Sequence, residues 1–169
     1  EEFSIQKPIT KNYAYEFLFH KLLRKTNNLY LKYFPIMLYF NGENRGVYAV
    51  EESFSKELLE RQKKRNGPIF SLNEDIGEWY PNINYELYSD SYWLEEYPEL
   101  IESAFSILNQ IKDNENLNIE NHFDMEKWAS YFASIDLLGS YHASLVKSTR
   151  LYFNPTSSRF EPIGYDAHV

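Results

Sequence analysis

GSYHASLVKSTRLYFNPTSSRFEPIGYD, residues 139–166, is the stretch on which the reading of this chain turns. An irregular polar segment (Ser140, His142, Ser144, Lys147, Ser148) is followed by RLYFN, 150–154, and RFEPIGY, 159–165, two strand-like runs joined by Pro155-Thr156-Ser157-Ser158. The second run ends on Asp166. Upstream, Asp124 is placed to cap a long helix over 124–138 with the apolar stripe Met125, Trp128, Ala129, Phe132, Ile135 and Leu138. The pattern therefore brings a loop at a helix end and a carboxylate at a strand end to one place.

Working outward, Pro98 opens another helix over 98–112, with the stripe Tyr97, Leu100, Ile101, Ala104, Phe105, Leu108 and Ile111. A polar loop, 113–122, separates the two helices. Residues 73–94, acidic, aromatic and punctuated by Gly77 and Pro81, read as an ordered loop after a short strand at Ile69–Leu72. Ser55 is placed to cap a helix over Lys56–Arg65, which Gly67-Pro68 closes. Before it, strands at Phe34–Phe40 and Gly46–Glu51 flank Asn41-Gly42, a strong hairpin turn signal, and Pro35 suits a strand start or a bulge. Residues 12–25 form a helix with Tyr13, Phe17, Leu18 and Leu22 on one face and Lys21, Arg24 and Lys25 towards its end. Phe3 to Ile5 reads as a strand. Separated helical and hairpin runs predict an α+β fold, not a doubly wound parallel sheet.

The 169 residues are one domain's worth of chain, and both ends read as cut from a larger fold. Aromatic residues reach 18%, so large flat side chains must carry much of the packing. Seventeen basic against 25 acidic residues give a net charge of −8, which argues against nucleic-acid binding and against anionic membranes. No apolar run is long enough to span a bilayer, so no membrane insertion is expected. The absence of cysteine excludes disulfides, thiolate zinc sites and a cysteine nucleophile. The basic run Arg61–Arg65 reads as a solvated helix end.

Phosphotransferases of the protein-kinase type combine a loop after a helix, carrying the base and one metal ligand, with an Asp after the next strand pair that holds magnesium. The helix–loop–hairpin–Asp order at 124–166 matches that plan. The strings GVYAVEESFSKELL, 46–59, and RLYFNPTSSRFEPIGYD, 150–166, moreover resemble the spore-coat protein H (CotH) kinase family. The features that carry the resemblance are Asn41-Gly42, Gly46-Val47-Tyr48, Glu52, Leu151-Tyr152 and Pro162-Ile163-Gly164-Tyr165-Asp166. It covers nearly the whole chain, from about Phe3 to Asp166.

The resemblance implies a partial protein-kinase-like fold that uses ATP and Mg2+ to phosphorylate Ser or Thr of a protein partner. Residues 1–52 would then be part of an N-lobe and 53–169 part of a C-lobe. Helix 12–25 would be the N-lobe regulatory helix, Glu52 would mark the adenine-facing hinge, 139–149 the catalytic loop, and Asp166 the metal ligand. The family's plan also puts an Asp, and four residues later an Asn, upstream of the metal Asp. Those positions fall here on Ser144 and Ser148. Serine cannot replace a carboxylate base unaided. His142 is the candidate base or orienter, its competing reading being a packed histidine on the Leu138 stripe, and Ser148 or water could complete a cation site with Asp166. Glu16 would pair with a catalytic lysine, although no lysine-bearing strand precedes Phe3. Its plainer role is a solvated helix face, and that of Glu52 is to stabilise the following helix start.

Two other readings stand beside the kinase. One is a catalytically degraded kinase-like module that binds proteins at a cell or spore surface, favoured by Ser144, Ser148 and the aromatic stretch 73–94. The other is a metal-dependent hydrolase using Asp136, His142 and Asp166; His168 with His142 and Asp136 is a related metal trio.

Overall fold

The computed structural model describes residues 2–72, 85–113 and 118–168. Among the described residues, seven strands and six α-helices follow one another as β1 (Phe3–Gln6), α1 (Tyr15–Lys25), β2 (Tyr33–Phe40), β3 (Glu43–Glu52), α2 (Lys56–Arg61), β4 (Ile69–Leu72), β5 (Tyr85–Leu87), α3 (Asp90–Glu96), α4 (Pro98–Lys112), α5 (Ile119–His122), α6 (Met125–Leu138), β6 (Arg150–Asn154) and β7 (Arg159–Ile163). Short 3-10 turns occupy Pro8–Lys11, Tyr141–Ser144 and Val146–Ser148. The strands form two antiparallel sheets, ordered β1-β3-β2 and β5-β4-β6-β7. The chain is α+β, as its segregated pattern predicts.

The β2–β3 hairpin turns on Asn41 and Gly42, both at positive φ (51° and 81°), the pairing that a two-residue turn matched to strand twist requires. Pro35 lies inside β2, which tolerates it as an edge strand, while the irregularity in register falls later, between Leu38 and Tyr39. Pro162 is accommodated the same way in β7, the edge of the second sheet.

Three apolar clusters hold the elements. Phe70, Leu151, Phe153 and Phe160 of the second sheet pack on Ile101, Ala104 and Leu108 of α4. Leu29, Leu31, Leu58, Leu59, Ile69, Tyr152 and Ile163 fill a second cluster. The third joins Phe19 and Leu23 of α1 to Tyr131 and Ile135 of α6, with Ala143 and Ala167 closing it. Tyr152, Phe19, Phe70, Phe153 and Phe160 are among the largest fully buried side chains, which is where the aromatic excess goes.

Four details depart from expectation. Of residues 73–94, positions 73–84 lie outside the described residues, and the remainder is not a loop: Tyr85–Leu87 pairs with β4, and Asp90–Glu96 is a helix. Of the loop expected over 113–122, positions 114–117 lie outside the described residues, and the remainder contains α5, capped by Asn118, whose side chain accepts from the Glu120 N–H. Helix α2 ends at Arg61, and the basic run after it is not a solvated end. Arg61 binds Glu52, and Lys64 reaches the buried carboxylate of Glu161 at 2.8 and 2.5 Å. In α1 the inward face is Glu16, Phe19, His20 and Leu23, whereas Tyr13 and Leu18 of the expected stripe are 64% and 47% exposed. Phe17 and Leu22 of that stripe are half-buried, and two ionisable residues, Glu16 and His20, point in beside Phe19 and Leu23.

The strand end that carries Asp166 is fixed by contact with α1. A Cβ on Gly164 would collide with Leu23 Cδ1 and stand 3.1 Å from Phe19 Cε1, so only glycine lets the chain pass this close to the helix. The Gly164 N–H donates to the Leu29 carbonyl at 2.9 Å. Tyr165 and Asp166 follow directly over the helix's inward face.

Candidate functional site

Asp166 sits at the centre of the site and owes its position to Glu16. Its φ is +58°, a left-handed conformation that a residue with a Cβ adopts at a cost of about 1 kcal/mol. The cost is met because the Glu16 carboxylate, fully buried on α1, accepts from two successive backbone N–H groups, Asp166 at 2.9 Å and Ala167 at 2.6 Å. His20, one turn along α1, accepts the Leu31 N–H on Nδ1 at 3.2 Å. Its proton is therefore on Nε2, which donates to Glu16 Oε1 at 3.0 Å. Helix, strand end and hairpin entry are tied through one carboxylate and one imidazole.

Around the Asp166 side chain stand four groups from three parts of the chain. Lys11, from the 3-10 turn before α1, forms an ion pair with Oδ1 and is itself buried. Ser148 donates its hydroxyl to Oδ2 at 3.1 Å, and His142 Nδ1 lies 2.9 Å from Oδ2 and 3.2 Å from the Asp166 carbonyl. His168 stacks on His142 with ring centroids 3.9 Å apart and 30° between planes. Its Nδ1 lies 3.4 Å from Oδ1, and it is a buried nitrogen without a hydrogen-bond partner among the described residues. Lys11 also lies over the Tyr165 ring, 4.7 Å from its centre.

Burial pushes the Asp166 carboxyl up, but the hydrogen bond and charge of Lys11, then His142 and Ser148, outweigh it and hold the pKa below its ordinary value. The Glu16 pKa is also lowered: burial opposes its charge, and His20, Lys11 and the Ala167 N–H prevail. Burial disfavours the Lys11 ammonium, yet Glu16, Asp166 and Glu51 more than compensate, so its pKa is raised. His168 is lowered by burial above all, which favours its neutral form. Glu51 behaves oppositely to Glu16. Burial is the main cause of its raised pKa, opposed by Lys11 and His20 and reinforced by Glu16 and Asp166. Its Oε2 takes the Gln6 amide at 3.2 Å and the Ser4 hydroxyl at 3.4 Å, but Oε1 is buried without a hydrogen bond among the described residues. The Tyr33 hydroxyl is unpaired in the same way, and burial, with Glu16 and Glu51, pushes its pKa up to about 12.

A sign follows for Glu51. A carboxyl whose folded pKa is raised binds its proton more tightly in the folded state, so its contribution to stability is lost as pH rises through that pKa. Glu51→Gln should therefore stabilise the fold at neutral pH by roughly 1 kcal/mol and leave it unchanged well below pH about 4, where the native carboxyl is protonated anyway. Thermal melts of both proteins across pH 3 to 8 check this; an equal shift at every pH would contradict it.

Of the residues singled out in the sequence, Asp166, His142, Ser148 and Glu16 are brought together. Glu16 is not on a solvated face. Ser144 is exposed and donates to the Tyr141 carbonyl at 2.7 Å, away from this group. Glu52 is next to Glu51 on β3 and so points to the other face of its sheet. There it accepts from the Lys32 N–H at 2.8 Å and pairs with Arg61 at 2.5 Å, beside an apolar cavity of about 430 Å3 walled by Phe3, Ile5, Phe34, Ile36 and Val50. Asp136 is exposed on α6 and outside the cluster, so the metal trio expected with it is replaced by His142, Asp166 and His168. Lys11 was not signalled at all: it lies in a turn, not a strand, and only the fold brings it 155 residues along the chain to Asp166.

A mixed α+β chain with two antiparallel sheets, a buried Lys–Asp pair and a helix-borne glutamate beneath it is of a kinase-compatible type. A family model described as CotH kinase protein matches residues 5–168, and the chain belongs to the CotH kinase family. No curated protein matches it. No described helix is long and apolar enough to cross a membrane.

Proposed function

We propose that the chain carries the phosphate-and-cation end of an ATP- and Mg2+-dependent phosphotransferase site, acting on Ser or Thr of a protein partner. The observation that carries the reading is Asp166, held in a left-handed turn by Glu16 and faced by Lys11, Ser148 and His142. On this reading residues 1–52 are part of an N-lobe and 53–169 part of a C-lobe. An aromatic cavity of about 300 Å3 walled by Phe54, Ile69, Tyr88 and Trp93 supports a place for the base. Phe54 contacts Tyr165, the neighbour of Asp166, with ring centres 5.2 Å apart. That location for adenine is preferred to the surroundings of Glu52.

The donor set suits a divalent ion. Asp166 offers a carboxylate and Ser148 a hydroxyl oxygen, the hard oxygen donors that magnesium prefers. Bound there with nucleotide, magnesium would supply neutralisation of charge on the β- and γ-phosphate oxygens. Lys11 is placed to exchange part of its pairing with Asp166 for a phosphate oxygen. In the transfer the substrate hydroxyl oxygen bonds to the γ-phosphorus as the bond to the β-bridging oxygen breaks, ADP leaves, and the hydroxyl proton passes to a base. Ser144 cannot be that base, and His142 is the nearest imidazole, with Nδ1 turned to Asp166.

This last point favours a second reading, a kinase-like module that binds a protein at a cell or spore surface without transfer. Nucleotide titration with and without Mg2+, together with radiolabel transfer from γ-labelled ATP to a Ser-rich peptide, separates them. Phosphotransfer predicts Mg2+-dependent binding and label transfer, both lost in Asp166→Ala; the degraded module predicts no label on any substrate. Mg2+-independent binding that survives Asp166→Ala would falsify the site.

A further inference from the structure

Two imidazoles converge on the Asp166 carboxylate from different elements, His142 from the turn after α6 and His168 from the segment after the strand end. Their rings stack at 3.9 Å, and their Nδ1 atoms lie 2.9 and 3.4 Å from its two oxygens. One ligand atom from each of the three side chains lies within 4.8 Å of the others, and each side chain is about one-fifth exposed. A buried ring nitrogen is ordinarily satisfied by a hydrogen bond. Here His168 Nδ1 is buried without one. Magnesium gains little from such a set, since it is a hard ion that prefers oxygen and keeps its waters. Imidazole nitrogen suits zinc, cobalt and nickel better, and three protein ligands with the remaining positions open is the pattern of a reactive centre, not of a closed structural one.

We propose that His142, Asp166 and His168 bind a single transition-metal dication without the help of nucleotide, leaving open positions that phosphate oxygens or the Ser148 hydroxyl can fill. This deepens the phosphotransfer reading and rests on it for the role of Asp166 as cation ligand. Lys11 shares the carboxylate and is the resident cation that an incoming metal must displace from Oδ1.

The test uses chelator-stripped protein titrated with Co2+, Zn2+ and Mg2+ in the absence of nucleotide, read by calorimetry and by the visible spectrum of Co2+. One Co2+ or Zn2+ per chain should bind at least about tenfold more tightly than Mg2+. His142→Ala and His168→Ala should each weaken Co2+ binding by about 10–100-fold, with His122→Ala unchanged as the control. In the unaltered protein, Co2+ should shift and broaden the ring resonances of His142 and His168 while those of His122 stay in place, a readout that survives even if a variant folds poorly. Mg2+ binding as tightly as Co2+, or Co2+ binding unaffected by both histidine variants, overturns the metal site. Either result leaves phosphotransfer standing if Mg2+-dependent ATP binding persists. Conversely, Co2+ held by these rings with no nucleotide bound under any cation overturns the phosphotransfer reading and keeps the metal site.

Discussion

Glu16→Ala should destabilise the protein by roughly 3–5 kcal/mol, the cost of breaking a buried charge network by removing one member. The carboxylate is fully buried and receives His20 and two backbone N–H groups, so its loss leaves three buried donors without their acceptor. It also removes what holds Asp166 at φ +58°. Glu16→Gln keeps the shape but replaces one acceptor oxygen with a donor that faces other donors, so it should recover little of the loss. The pH dependence has a definite sign. Because the folded pKa of Glu16 is lowered, its stabilisation is fully present above the ordinary carboxylate value of about 4.3 and is lost as pH falls through the folded value. Asp166 has the same sign. Acid unfolding of the native protein should therefore steepen below pH about 4, and Glu16→Ala should flatten it. Equal acid sensitivity in the variant would remove Glu16 from this role. Denaturant melts at pH 7 and pH 3.5 measure both effects.

On the proposed phosphotransfer reading, Lys11→Met should reduce transfer of the γ-phosphoryl group by roughly 10²–10³-fold, the loss expected when one preorganised charge aimed at a developing anion is removed. The lysine is buried among Asp166, Glu16 and Glu51, and it has the Tyr165 ring beneath it, so its position is fixed before any nucleotide arrives. A role confined to stability predicts a different outcome: weaker folding but unchanged nucleotide affinity in the fraction that remains folded. Measuring ATP affinity and turnover below the melting range of the variant separates the two. A second readout is independent of catalysis. Without Lys11 the carboxyl resonance of Asp166 should titrate at higher pH than in the native protein, because the largest influence holding it down is gone.

The backbone plan was largely legible in the sequence because turn and cap chemistry is local. Asn41-Gly42 placed one hairpin, Asp124 capped α6 by accepting from the Lys127 N–H at 3.2 Å, and Pro98 opened α4. The inward face of α1 was not legible. Hydropathy favours Phe17 and Leu18, but Glu16 and His20 are worth more inside, because the chain after Gly164 presents two N–H groups that need an acceptor. Ion pairs between distant residues escaped for a related reason. Lys64 looks like any lysine of a basic run until Glu161 of β7 is folded beside it, and Lys11 acquires meaning only when Asp166 arrives. Asp166 itself was found through a motif, His142 through its nearness to that motif, and His168 was matched with Asp136 because the bend of the chain at Asp166 cannot be read from residue order.

The fastening of α1 has a further consequence for movement. Here an outward swing would drag Glu16 off the amides of residues 166 and 167, pull His20 from the Leu31 N–H and part Phe19 from Tyr131. Each rupture leaves a polar or aromatic surface bare in the same instant, so α1 and the chain after Gly164 should travel as one piece or not at all.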